Sequence, residues 1–392
     1  QKAMNHRGTR LQKATHQHTR DHNARLVLRT IYHAGDISRA EIARRTRLTR
    51  PTVSRIVSQL MNEQFVVETG LGPSAGGKPP TLLDVACDDH QLLAIDLGSQ
   101  EFRGAVVNMR GQITARQTFN THDQKGELAL DLVHTLIESL SRAATAPLLG
   151  IGLGSPGLTS PGEGIIREAV NLGWWALPLR QLLVDRYGLP VYVANDSHMA
   201  ALGEFTFGDG TSAGNLVVIK IGRGVGAGIV LDGQPYYGDG FGAGEIGHVV
   251  VDQGGALCSC GNHGCLETTT GTRAILSQAQ LASGDKSLTW TGLVDAHQVG
   301  QAWAAEVVQV AGRFLGVAIA NLIAAVNIER IVISGRVVQF GDQLLDAALA
   351  EAGRRALPAL VNNSRLCNST LGSDVVILGC SAMILNHELG IT

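Results

Sequence analysis

The chain has 392 residues, 44% of them hydrophobic and 4% aromatic, with 48 glycines and a formal net charge of −2. That length exceeds what one core serves, so two or three domains are expected, and six cysteines are too few for a disulfide scaffold. The charge is uneven: residues 1–55 carry 13 Lys/Arg against 3 Asp/Glu (+10), the remainder 19 against 31 (−12), and a basic head on an acidic body points the head at a polyanion, most simply nucleic acid.

In chain order, "QKAMNHRGTRLQKATHQHTR" (1–20) is polar and basic, with no apolar centre of a secretory signal. "ARLVLRTIYHAG" (24–35) has helical apolar spacing and a glycine stop. "SRAEIARRT" (38–46) opens with a capping box, Ser38 as N-cap and Glu41 three residues on. "LTRPTVSRIVSQLMNEQFV" (48–66) takes Thr49 as N-cap and Pro51 in its first turn, with Val53, Ile56, Val57, Leu60 and Met61 on one face. "VVETGLGPSAGGKPPTLLDV" (66–85) reads as strand, Gly/Pro-rich loop and strand. Three short helices followed by such a hairpin make a winged helix-turn-helix. Thr52, Arg55 and Gln59, with Arg50 and Ser54 at the helix start, point away from the apolar face and are the candidate DNA contacts. Lys78 at the wing tip "GGKP" joins them as a candidate for the minor groove.

Beyond the wing the pattern is α/β. "LLAIDLG" (92–98), "RGAVVNMRGQITARQTFN" (103–120), the amphipathic "ELALDLVHTLIESLSRAA" (127–144), "LLGIGLGSPG" (148–157) and "LPVYVANDSHMAALGEFTFG" (189–208) read as strand, strand pair, helix, strand, and strand–helix. "NLVVIKIGRGVGAGIVLDGQPYYG" (215–238) restarts the same logic, which suggests a duplicated α/β domain with a central cleft. A helical stretch (268–326), "IERIVISGRVV" (328–338) as a strand, and "DVVILGCSAMILNHEL" (374–389) as strand then helix complete the chain. The longest apolar run, 314–326, is too short to span a bilayer. A cytoplasmic protein with no membrane span is expected. The domains are placed at 1–85 (DNA-binding, with a basic arm), 86–207 (first lobe) and 208–392 (second lobe).

"CSCGNHGCLE" (258–267) concentrates three thiols. Cys258, Cys260 and Cys265 offer three soft ligands, and one nitrogen completes a closed tetrahedral zinc site of structural type. A disulfide between Cys258 and Cys260 is strained and disfavoured by the compartment. His248 and His263 are the available nitrogens.

"GAGEIGH" (242–248) with "CSCGNHGCLE", and upstream "GSPG" (154–157), "NLGW" (171–174) and "ND" (195–196), resemble the signature blocks of the ROK family of repressors, open reading frames and sugar kinases. The resemblance covers essentially the whole chain, and the winged helix places it with the family's transcriptional regulators. It implies an actin-like/RNase H-like, sugar-kinase-like two-lobed body, His248 as the fourth zinc ligand, and a sugar site of Asn195, Asp196, Glu245, His248 and Glu267, with Asn171 as a further contact. These side chains suit vicinal hydroxyls, which both donate and accept.

In the kinases the residue matching Asp196 is the general base. The phosphate loops depart from the kinase pattern. "DLGSQ" (96–100) has Ser99 and Gln100 for Gly and Thr, "GRG" (222–224) has Arg223 for Thr, and "SGRVV" (334–338) stands for a Gly-Gly turn. Side chains there obstruct the backbone approach that phosphate needs. Arg223 is a candidate anion contact for a sugar phosphate. The expected function is therefore repression of carbohydrate genes, with zinc, operator DNA, a sugar or sugar-phosphate effector and a homodimer or tetramer as partners. An ATP-dependent sugar kinase, and a regulator governed by a phosphotransferase-system protein, are the alternatives.

Overall fold

The computed structural model describes residues 16–73, 78–209 and 214–391. The first fifteen residues of the basic arm, and Gly76 and Gly77 of the wing tip, lie outside them. The chain forms two compact units: residues up to 90 with 108–110 and the C-terminal segment from 385, and residues 91–107 with 111–384.

The first unit begins with helices α1 (His16–Ala34), α2 (Arg39–Thr46) and α3 (Arg50–Asn62). Val27, Ile31, Ile42, Val53, Ile56, Val57 and Leu60 are buried and give the three helices a common apolar centre. Strands Val66–Leu71 and Thr81–Val85 pair antiparallel, and the short strand Ile37–Ser38 adds to the latter, which gives the sheet of a winged helix. Thr49 caps α3 by accepting from the Thr52 amide, and Ser38 caps α2 by accepting from the Glu41 amide at 3.2 Å. The capping box expected at Ser38 is only half made. The Glu41 carboxylate turns forward to Arg44 and Arg45 at 2.7 Å, because two guanidiniums on its own helix face outbid one backbone N–H. Arg110 lies over the Tyr32 ring, 4.5 Å from its centroid, donates to the Tyr32 carbonyl at 2.6 Å and pairs with Asp84.

The second unit holds two five-stranded sheets. One runs Val191–Asn195, Leu148–Ser155, Gln91–Leu97, Glu101–Asn108, Ile113–Asn120; the other runs Arg365–Asn368, Arg330–Gly335, Leu216–Ile221, Val225–Leu231, Gln234–Pro235. Numbered within each repeat, both have the order 5-4-1-2-3, with strands 1, 4 and 5 mutually parallel and strand 3 antiparallel to strand 2. The repeat read from the sequence is thus a repeat of topology. Strand Gln91–Leu97 is buried along its whole length, as a parallel strand covered on both faces must be.

Two findings differ from the sequence reading. Residues 374–389 contain no strand: Val375–Leu389 is one helix. Its apolar start "VVIL" fits a buried strand or a buried helix equally by pattern, and tertiary burial decides. The apolar run 314–326 is the second half of a 25-residue helix, Ala302–Val326, long and apolar enough to cross a membrane by length and composition. It instead contributes Val308, Leu315, Ile319 and Ile323 to the core of the second lobe and packs along helix Asp342–Arg355.

Helices Asp196–Phe207 and Val375–Leu389 cross at close range. A Cβ on Gly203 would lie 2.3 Å from the Val375 carbonyl oxygen, and one on Gly379 1.7 Å from that of Met199. The first of these helices also packs on strand Val225–Leu231 of the other lobe. The two sheets of this unit are thereby tied together through helices Asp196–Phe207 and Val375–Leu389.

Candidate functional site

Strand Val191–Asn195 stops because Asn195 turns its side chain onto the next helix. Its Oδ1 accepts from the amides of Ser197 (2.8 Å) and His198 (3.3 Å), and its Nδ2 donates to the Gly157 carbonyl at 2.9 Å. Asn195 is 8% exposed, and most of its hydrogen-bonding capacity is spent on this backbone turn. Asp196 follows in the first helical turn, where a carboxylate suits the helix dipole. Its Oδ2 accepts from Lys220 Nζ at 2.8 Å and its Oδ1 from the Ser197 hydroxyl at 3.2 Å. Arg103 pairs with buried Asp96 at the end of strand Gln91–Leu97.

Sequence reading did not single out Lys220 or Arg103. The available signal was one lysine in an otherwise apolar strand, "LVVIKI". Burial alone would lower the Lys220 pKa, but Asp196 and Asp96 outweigh it and hold the ammonium above the ordinary lysine value.

Glu245 and His248 come from the turn Ile246–His248 and the residue before it. Glu245 is pushed above the usual carboxylate range, first by desolvation among its neighbours, then by the charges of Asp196 and Glu267, with His248 opposing. Asp196, Glu245, His248 and Glu267 therefore share one electrostatic neighbourhood. The Glu267 carboxylate lies against Gly224, where an added Cβ would stand 2.8 Å from Oε2. Arg223 in the same turn is exposed. His198 Nε2 meets the Ala243 carbonyl at 2.9 Å and ties helix Asp196–Phe207 to the loop that carries Glu245. Asn171 stands exposed on the turn Val170–Leu172 and shares no hydrogen bond with the others among the described residues.

His248, Cys258, Cys260 and Cys265 bring one ligand atom each to within 4.8 Å of one another. Cys258 Sγ lies 3.5 Å from His248 Nδ1, and Cys260 Sγ 3.6 Å from Cys265 Sγ. The sulfur pair is far beyond a disulfide bond of ~2.05 Å and near the edge of about 3.8 Å of a tetrahedron with Zn–S ~2.3 Å. Bridges Val250–Cys265 and Leu257–His263 fold the loop back on itself and deliver the thiols to His248. His263 is exposed and turns its Nδ1 to the Gly255 carbonyl at 3.2 Å, outside the cluster. Burial and the two neighbouring thiols push Cys265 up to about 12. Crowded thiols of this kind lose their protons to a bound cation, and the donor set fits zinc.

On α3, Ser54, Arg55 and Gln59 are exposed and Arg50 is exposed at its start. Thr52 is half-buried and bonds Thr49 Oγ1 at 2.8 Å, while Gln59 donates to Glu63 at 2.9 Å. Lys78 is exposed beyond the wing strand. The arrangement presents a helix with two guanidiniums and small polar groups on its outer face, which suits a DNA groove.

A model of the ROK family matches residues 92–387, and one described as winged helix-turn-helix DNA-binding matches residues 20–67. The xylose repressor of Caldicellulosiruptor bescii is 33% identical over 383 residues, covering 94% of this chain and 96% of its own. The glucokinase of Halalkalibacterium halodurans is 36% identical over 318 residues, 76% of this chain and 96% of its own. Among solved structures, a ROK family transcriptional regulator described as a homolog of the E. coli MLC protein superposes with a TM-score of 0.84 at 28% identity, over 95% of this chain and 98% of its own.

Proposed function

The chain belongs to the ROK family, and from that premise we propose that it is a DNA-binding transcriptional repressor whose sugar-kinase-like body senses a carbohydrate. The observation that carries the reading is the union in one chain of a winged helix with an exposed basic recognition helix and a ROK body in which the Glu245 carboxylate feels the charges of His248, Asp196 and Glu267. Carboxylates and an imidazole that converge in this way can each accept from or donate to neighbouring hydroxyls of a sugar ring. The xylose repressor relative makes xylose the first sugar to try. In this reading the winged helix binds operator DNA through α3 and the wing, as a homodimer on a palindromic site, because one head buries too little surface for tight specific binding. Such a protein works in the cytoplasm.

The His248–Cys258–Cys260–Cys265 set would hold zinc, which supplies rigidity and no chemistry, since four protein ligands leave no open position. With Nδ1 of His248 turned to the thiols, Nε2 is left for the sugar, and Glu267 follows the last thiol by two residues. The loop thus serves the same cleft.

A second reading, a sugar kinase, is favoured by the glucokinase relative, which matches the body at 36% identity. Against it stand Ser99, Gln100 and Arg223 in the turns where phosphate would need bare backbone. Kinase action would release ADP in the presence of a hexose.

Calorimetry of the zinc-replete protein against a sugar panel tests the proposal. One sugar binds. Asp196→Ala weakens it by at least about tenfold, the loss of one charged hydrogen bond. Cys260→Ala loses its metal and weakens the same sugar by about tenfold or more. Binding of no sugar by the wild type would sink the reading, and a zinc-free Cys260→Ala with normal sugar affinity would cut the link between loop and cleft.

A further inference from the structure

The cleft floor carries more charge than a sugar needs. Asp96 and Asp196 stand at the C-terminal ends of two parallel strands, Gln91–Leu97 and Val191–Asn195, with strand Leu148–Ser155 between them. Asp96 is opposite Gly154 in the ladder, and a Cβ built on Gly154 would lie 3.5 Å from the Asp196 Cα, so only a bare glycine position separates the two acids. The ends of parallel strands are where α/β sheets place ligands.

Two buried oxygens here have no partner. Asp96 is 2% exposed, and its Oδ1 makes no hydrogen bond. Ser334 is wholly buried, its Oγ likewise unpartnered, and it sits opposite Lys220 in a parallel ladder, on the same face. Carboxylate and hydroxyl oxygens with free lone pairs are ligands for a hard divalent cation. What stands there instead is Lys220, 2.8 Å from Asp196, and Arg103, paired with Asp96. Each of the two acids is matched by a base, and a divalent ion brought between them would meet two fixed positive charges.

We propose that Lys220 is a resident cation that, with Arg103, takes up the carboxylates a divalent metal ion would otherwise bind, so that this cleft receives its sugar without a metal. The same ammonium takes one acceptor site of Asp196 Oδ2, and the carboxylate's remaining lone pairs still accept from a sugar hydroxyl. The Lys220 ammonium persists because both acids hold it charged against the pull of burial. The inference rests on the reading of the body as a sugar receptor and adds the reason it has no need of a metal in the cleft.

The test is manganese binding to the full-length, zinc-replete protein, followed by electron paramagnetic resonance. Wild type binds no Mn²⁺ that depends on Asp96, so Asp96→Asn leaves its signal unchanged. Lys220→Ser gains one Mn²⁺ per chain, at least about tenfold tighter than any wild-type binding, and adding Asp96→Asn removes it. Zinc content and melting temperature report that the variants are folded. Asp96-dependent Mn²⁺ binding by wild type overturns the proposal, as does a folded Lys220→Ser with no gain. If Lys220→Ser does not fold, Lys220→Gln, which removes the charge and keeps a polar side chain, takes its place under the same two outcomes. Sugar calorimetry on the same samples keeps the two ideas apart: failure of every sugar to bind would end the receptor reading and leave the manganese result standing.

Discussion

His198 buries its ring to 2% exposure, with Nε2 on the Ala243 carbonyl, Nδ1 without a partner and the Tyr237 ring edge-on at 5.0 Å. Burial depresses its pKa, against smaller opposing effects from Ala243 and Asp196. The folded protein thus binds this proton less readily than the unfolded chain, so stability is fully present above the ordinary value of 6.5 and is lost as pH falls below it. Wild type should melt progressively lower below pH 6.5, and His198→Gln should show a shallower decline; equal slopes would remove His198 from the account. Residues of this kind mark the limit of sequence reading. Cys258, Cys260 and Cys265 announced themselves because eight neighbouring positions define their chemistry, and the ROK resemblance supplied His248. Lys220 and His198 carry no local signature, since each acquires its meaning from a partner tens of residues away that only the fold supplies, and Arg103 meets Asp96, seven residues before it, only because their strands lie side by side in the sheet.

At the scale of elements, the crossing of helices Asp196–Phe207 and Val375–Leu389 fixes where Asp196 stands. Gly379 has no room for a methyl group, because the Met199 carbonyl is in its place and backbone cannot step aside as a side chain can. Gly379→Ala should cost about 3 kcal/mol or more in unfolding free energy, measured by denaturant titration, and should weaken sugar binding in parallel; a neutral effect on both would show that the crossing is looser than its geometry. The three head helices were legible from spacing and caps, since their apolar faces and N-cap residues are local facts. The final helix was not, because "VVILG" has strand composition and its helical state goes with burial against helix Asp196–Phe207 and strand Leu148–Ser155, which are remote in sequence. Glu41 likewise shows a local rule giving way to a nearer pair of charges.

For the whole molecule, two copies of one sheet order make the body, and a separate unit carries the recognition helix. The duplication was visible in the sequence as two Gly-turned strand pairs, whereas the closeness of Asp96 to Asp196 was not, since it depends on the parallel order of strands a hundred residues apart. A repressor built on this plan must link its two ligands: whatever factor a sugar takes from DNA affinity, DNA takes from sugar affinity. The most direct test is fluorescence anisotropy of the full-length protein on its operator DNA, titrated with xylose and then with other sugars, alongside calorimetry of the effective sugar with and without that DNA. The account predicts that one sugar releases the DNA, that the two coupling factors agree, and that Asp196→Ala binds DNA normally but no longer responds. DNA binding unaltered by any sugar that demonstrably occupies the cleft would contradict it.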